Sequence, residues 1–314
     1  MVKRSDKIVI ALGGNSLIKK GEEPSLHNHL KNLKPALKHL ITIIKENKVI
    51  LTHGSGPQVG ALLIQNKLSQ SKVPRMPLDV LDAEIQGGLG YIIEQTLQNL
   101  LNKHKIQRPV VSLLTQVIVD NKDPSFKKPI KPVGSFLNKK QAQELKKQGF
   151  QVVEQKGRGY RRVVPSPLPK EIDDIKTIEY LFNKNTILIA GGGGGIPVIK
   201  KNGQLKGVQG VIDKDLTSAC IANAIKASKL IILMKNPHAC LNYAKPNQQP
   251  IGKINIKQAQ TYLNQGQFPP GSMGPKIKAS INFLKKGGKQ VIITNASNLQ
   301  KALKGKAGTI ITLR

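Results

Sequence analysis

Apolar residues recur along the chain in two rhythms. Short unbroken runs at 7–12, 49–52, 110–114, 186–190, 230–233, 290–294 and 309–313 have the length and composition of buried strands. Between them, apolar positions step by three and four. Leu26, Leu30, Leu33, Leu37, Leu40, Ile41 and Ile44 form one such stripe and predict an amphipathic helix. Pro35 lies inside it, so a kink or a late start is expected. Helices are also predicted over 79–103, after Asp215 and over 272–286. Strand and helix alternate, which predicts an α/β chain with a mostly parallel central sheet.

Residues 120–169 break the rhythm. They are rich in proline, glycine and lysine pairs, carry no clean period, and hold three of the seven arginines. An insertion of this size predicts a lid or a small subdomain. No internal repeat stands out. With 314 residues the chain is long enough for one large or two medium domains with a substantial core.

Charge adds a second asymmetry. The formal net charge is +32, from 50 basic and 18 acidic residues. Residues 180–314 hold 20 basic and only 2 acidic residues, Asp213 and Asp215, which flank Lys214. Two carboxylates around one lysine in an acid-poor stretch mark either an active-site triplet or a solvated loop. Lysine dominates the basic set, aromatics are 4% with no Trp, and the lysines are scattered. Sequence-specific nucleic-acid readout draws on Arg forks, and single-strand binding on aromatic platforms, so a nucleic-acid partner is disfavoured. No apolar run approaches the roughly 20 residues of a membrane span. The apolar stretch after Lys3 and Arg4 stops at Gly13-Gly14, too short for a secretory leader. Cys220 and Cys240 form neither a disulfide framework nor a zinc cluster, so a reducing cytoplasm is expected.

Three glycine turns follow predicted strands: Gly13-Gly14-Asn15, Gly54-Ser55-Gly56, and five glycines at 191–195. In a parallel sheet they fall at the carboxyl ends of strands, where α/β folds bind ligands. Glycine lets backbone N–H groups approach an anion closely, and the set together points to phosphate. No G-x-x-x-x-G-K-[ST] occurs, and Ile196 and Pro197 interrupt any dinucleotide fingerprint. The six histidines show no metal spacing, and Ser55 is not in a nucleophile elbow. Lysines near glycine turns suit phosphoryl transfer, which needs positioning and charge stabilisation more than covalent chemistry.

Nearly end to end, the motifs resemble carbamate kinase, of the amino-acid-kinase fold. The resemblance rests on Ala11-Leu12-Gly13-Gly14-Asn15, His53-Gly54-Ser55-Gly56-Pro57 and Met76-Pro77-Leu78-Asp79. It continues in Lys131-Pro132-Val133-Gly134, Gly157-Arg158-Gly159-Tyr160-Arg161-Arg162, Val211-Ile212-Asp213-Lys214-Asp215 and Gly271-Ser272-Met273-Gly274-Pro275-Lys276. The Gly-Arg-Gly stretch and the insertion around it are its specific signals. Ala11 stands where related acylphosphate-forming kinases often carry a lysine, which sets the chain apart from acetylglutamate kinase and aspartokinase.

The resemblance implies an open three-layer αβα sandwich with a mainly parallel central sheet and a small protruding subdomain at 120–169. It implies a carbamate lobe over 1–185, a nucleotide lobe over 186–314 and a homodimer. The implied reaction is ATP plus carbamate in equilibrium with ADP plus carbamoyl phosphate, with Mg²⁺ on the nucleotide, in fermentative arginine catabolism. A kinase for another acid, or an impaired basic anion-binding homologue, is the alternative. Carried over by motif, Lys131, Lys214 and Lys276 would stabilise the transferring phosphoryl group, and Asp213 would hold two of these lysines. Gly13, Gly14, Asn15, Gly54 and Ser55 would bind carbamate. Gly191, Gly192, Gly193, Met273, Gly274 and Lys276 would bind nucleotide. The chain departs from the pattern at Ser55, Asp82, Gln209-Gly210 and Met234-Lys235-Asn236, the last of which puts nucleotide affinity in question.

Overall fold

The computed structural model describes residues 5–19, 22–155, 157 and 159–314. Eight strands form its central sheet, in the order Lys253–Asn255, Thr309–Thr312, Gln290–Thr294, Lys229–Leu233, Lys7–Leu12, Lys48–His53, Ile187–Ile189, Val110–Ser112. Pairing is parallel from Gln290–Thr294 through to Val110–Ser112. Thr309–Thr312 runs antiparallel to Gln290–Thr294 and pairs in parallel with Lys253–Asn255 at the far edge. This is the α/β architecture with a mainly parallel sheet that the alternating pattern predicts.

Side-chain alternation sorts the strand residues onto two faces. Ile8, Ile10 and Leu12 pack on one side with Leu33 and Leu37 of the helix Leu26–Lys38 and with Ile85, Leu89 and Ile93 of the helix Leu78–Lys103. Val9 and Ala11 pack on the other with Ala219 and Ile221 of the helix Lys214–Ala224 and Ile277 and Phe283 of the helix Met273–Lys285. Both faces are covered, which is why the central strands read as near-continuous apolar runs. The sheet also crosses the lobe boundary expected at 185/186 without interruption. Ile187–Ile189 pairs with both Lys48–His53 and Val110–Ser112, strands from the first half of the chain.

The predicted helix over 26–44 is two helices. Leu26–Lys38, capped by the Ser25 side chain, stops short of a separate helix Ile41–Glu46. Pro35 sits within the first and withholds the N–H that would bond one turn back. Among its described residues the irregular insertion holds regular structure. Lys131–Leu137, Gly159–Val164 and Val152–Gln155 form a three-stranded antiparallel sheet, with the helix Lys139–Lys147 fastened by an Asn138–Gln141 capping box.

Candidate active site

Chain topology brings the three glycine turns together, because Lys7–Leu12, Lys48–His53 and Ile187–Ile189 are neighbouring parallel strands and each turn leaves a carboxyl end. The turns pack too tightly for side chains at several points. A Cβ at Gly13 would stand 2.5 Å from the Leu233 carbonyl oxygen. Gly191, Gly193, Gly194 and Gly195 all have positive φ, and a Cβ on Gly192 would run into the His53 ring. Gly14 has open space where its Cβ would be. The Thr115 hydroxyl accepts from the Gly191 N–H at 2.8 Å, and Thr217 donates to the Gly194 carbonyl at 2.6 Å.

Two of these turns face a cavity of about 710 Å³ whose wall includes Gly54, Ser55, Gly193, Lys131, Lys214 and Lys276; Gly13 and Gly14 are not in that wall. Asp213 caps the helix Lys214–Ala224 by accepting the Asp215 N–H at 3.0 Å. That cap points the first turn of the helix, and so Lys214, at the cleft. Lys276 comes from the first turn of the helix Met273–Lys285, and Lys131 from the start of the strand Lys131–Leu137.

The ion pairs correct one expectation. Asp213 does not hold two of the lysines; its Oδ2 accepts from Lys131 Nζ alone, at 2.9 Å. The carboxylate that holds two is Asp215, accepting from Lys214 Nζ at 2.5 Å and from Lys276 Nζ at 2.9 Å. The reason is the cap. Asp213 turns Oδ1 back onto the helix and has one oxygen left, whereas the Asp215 side chain has both oxygens free for lysine. The sequence signal for Asp215 was its place as one of two acids in an acid-poor stretch.

Burial sets the electrostatics. It would raise the pKa of Asp215, but the Lys214 and Lys276 ammoniums outweigh it and hold the carboxyl well below the usual range. Burial lowers the Lys214 pKa, offset only in part by Asp215. For Lys276 burial works the same way, but Asp215 and Asp213 prevail and raise it. His53 is pushed down to about 4 by burial, against the Gly54 carbonyl and with help from Lys214, so it is neutral at pH 7. The cluster is a fixed array of three cations on two anions, one positive charge in excess, with no side chain poised as a base.

Other expected residues sit around this array. A Cβ at Gly54 would lie 3.4 Å from the Gly14 nitrogen and 3.5 Å from the Lys214 Cε, so Gly54 sits between the Gly14 backbone and Lys214. Met273 and Gly274 open the helix that carries Lys276 and are not part of the cavity wall; the Gly274 N–H closes onto the Pro269 carbonyl at 2.9 Å. The Asn15 side chain and Arg158 lie outside the described residues. Sequence reasoning missed Thr115 and Thr217, which tie down the glycine turn, and Ser218, whose Oγ lies 2.7 Å from Thr52 Oγ1 and donates to the Lys214 carbonyl at 2.6 Å. Nothing in the local pattern distinguishes these hydroxyls from surface ones.

Residues 6–295 match the model of the amino acid kinase family. The chain belongs to that family. Among its relatives are carbamate kinases. The carbamate kinase of Thermococcus kodakarensis is 43% identical over 96% of this chain and 98% of its own length. The carbamate kinase-like protein YahI of Escherichia coli is 41% identical, covering 97% and 98%. The structure of Giardia lamblia carbamate kinase bound to AMP-PNP matches with a TM-score of 0.92 and 39% identity, over 98% of this chain and 99% of that one. Membership makes this amino acid kinase a phosphotransferase of the carbamate kinase group.

A divalent ion is a further expectation of such a kinase. Among the described residues no group of three His, Cys, Asp or Glu side chains could hold one. The two carboxylates of the cleft are already committed to Lys131, Lys214 and Lys276. The residues therefore do not fit a protein-held metal.

Proposed function

We propose that the chain catalyses reversible phosphoryl transfer between ATP and carbamate, giving ADP and carbamoyl phosphate. The observation that carries this reading is the Lys214–Asp215–Lys276 array, with Lys131 on Asp213, set against glycine turns at the carboxyl ends of adjacent strands. Carbamate is already an anion. One of its oxygens attacks the γ-phosphorus, the bond from phosphorus to the bridging oxygen of ADP breaks, and no proton has to move. A neutral, buried His53, and the commitment of both described cleft carboxylates to lysines, are compatible with that chemistry.

What the reaction needs is relief of repulsion between anions and stabilisation of charge on the transferred group. Lys214 and Lys276 supply it from the nucleotide side and Lys131 from the subdomain, as preorganised point charges. Gly13, Gly14, Asn15, Gly54 and Ser55 form the carbamate side in the first lobe, 1–185. Gly191, Gly192, Gly193, Met273 and Gly274 contribute to the nucleotide side in the second, 186–314. Mg²⁺ enters as part of the nucleotide, on its phosphates. A homodimer, a cytoplasmic location and a role in fermentative arginine breakdown complete the reading.

The test is a coupled assay for ATP formed from ADP and carbamoyl phosphate in the presence of Mg²⁺, with a panel of other acyl phosphates beside it. Turnover is expected with carbamoyl phosphate in preference to the rest. No turnover, or preference for another acyl phosphate, overturns the assignment.

A further inference from the structure

Outside the cleft a second cavity, of about 640 Å³, opens between the three-stranded unit and the helix Gly56–Leu68. Its lining is largely hydrocarbon, from Leu63, Leu81, Val133, Leu145 and Phe150. At its mouth Ile64, Leu68 and Met76 are exposed, an unusual concentration of apolar surface on so charged a chain.

Two arginines enter this apolar space, Arg75 and Arg162. The Arg162 guanidinium lies 4.1 Å over the Phe150 ring. The Nε of Arg75 is shielded from solvent and has no hydrogen-bond partner. Neither arginine takes part in an ion pair among the described residues, and no Asp or Glu lines the cavity. Gln209, also in the lining, is neutral, and its Oε1 accepts from the Leu78 N–H at 3.3 Å. Burial, and after it the like charge of Arg75, pull the Arg162 pKa down. Two guanidiniums side by side in an apolar pocket, with no counter-charge, lack only an anion.

We propose that this cavity is a binding site for a small amphipathic organic anion, its carboxylate between Arg75 and Arg162 and its apolar tail against Leu63, Leu145 and Phe150. The site is distinct from the lysine cleft. The two cavities share Gly60, Ile64, Val133 and Gly134 as a partition, with the arginines on one side and Lys131, Lys214 and Lys276 on the other.

The experiment titrates 4-phenylbutyrate into the full chain by calorimetry. We expect a dissociation constant below about 1 mM, with 4-phenylbutanol (tail without charge) and acetate (charge without tail) each weaker by roughly tenfold or more. Arg75→Gln and Arg162→Gln each weaken 4-phenylbutyrate by about tenfold, the loss of one charge-assisted contact. If Arg162→Gln unfolds for want of its Phe150 contact, Arg75→Gln decides alone. Lys276→Ala leaves binding unchanged, and the sedimentation coefficient does not change on titration. The proposal is overturned by no binding at about 10 mM, a much weaker range than expected, or by the alcohol binding as well as the acid. It is equally overturned by insensitivity to Arg75→Gln, by loss of binding in Lys276→Ala, which places the acid in the cleft, or by ligand-driven dissociation of an oligomer, which makes a second copy of the chain the occupant.

Discussion

Asp215 is the side chain on which the cleft turns. Its two oxygens set the spacing of two ammoniums, and its charge offsets part of the burial that lowers the Lys214 pKa. Asp215→Asn removes the charge while keeping the shape. Lys214 then stands buried beside Lys276 without a counter-ion, and its pKa falls further. We expect kcat to drop by roughly 100-fold or more, the scale of losing one preorganised stabilising group. The alkaline limb of the pH–rate profile should move to lower pH, because the proposed reaction uses protonated Lys214. Asp213→Asn keeps an N-cap acceptor, frees Lys131 from its ion pair and removes only the weaker of the two carboxylate influences on Lys214, so it should move that limb less than Asp215→Asn does. Steady-state kinetics across pH on both variants separates the two carboxylates; an unmoved profile in Asp215→Asn would refute its assigned role.

The elements divide sharply in how far the sequence discloses them. The strands buried on both faces, Lys7–Leu12 or Gln290–Thr294, announce themselves as apolar runs, and the glycine turns mark their ends. The subdomain does not. In the helix Lys139–Lys147 only Ala142 is buried, and Val152–Gln155 has no fully buried position, so neither carries a periodic apolar signal. A small sheet that rests on a neighbouring surface need not alternate. For the same reason Lys131 was recognisable only through its motif, while the pair Asp213 and Asp215 was visible in the acid-poor background, though not the division of labour between them. The glycine turns themselves split into packing and ligand positions. Gly192→Ala should destabilise by about 1–3 kcal/mol, because the methyl meets the His53 ring. Gly14→Ala, with open space around it, should change stability by less than about 0.5 kcal/mol. It should nevertheless reduce activity, since the Gly14 nitrogen lies against Gly54, whose own Cβ position is 3.5 Å from the Lys214 Cε. Urea denaturation with parallel assays checks both, and a fully active Gly14→Ala removes this turn from the substrate side.

For the whole molecule the excess charge poses a testable question. The chain carries a net charge of +32 and its cleft a balance of one positive charge, so the lysine excess is either compositional bias or a long-range attraction for anionic substrates, and we expect the second. The screening length shrinks from about 10 Å at 0.1 M salt to about 3 Å at 1 M. Stopped-flow and steady-state measurements over that range should show kcat/KM for carbamoyl phosphate falling while kcat holds. A flat kcat/KM would mean the charge is compositional bias with no part in capture. The position of the first strand has a separate consequence, for the order of assembly during synthesis. Lys7–Leu12 lies between Lys48–His53 and Lys229–Leu233. One of its edges gains a partner soon after it leaves the ribosome; the other waits for some 220 more residues, roughly 10–45 s at 5–20 residues per second. Throughout that interval a strand apolar from Ile8 to Leu12 presents unpaired backbone groups, which exposes the nascent chain, long before any substrate is met, to edge-to-edge aggregation and gives chaperones a segment to shield.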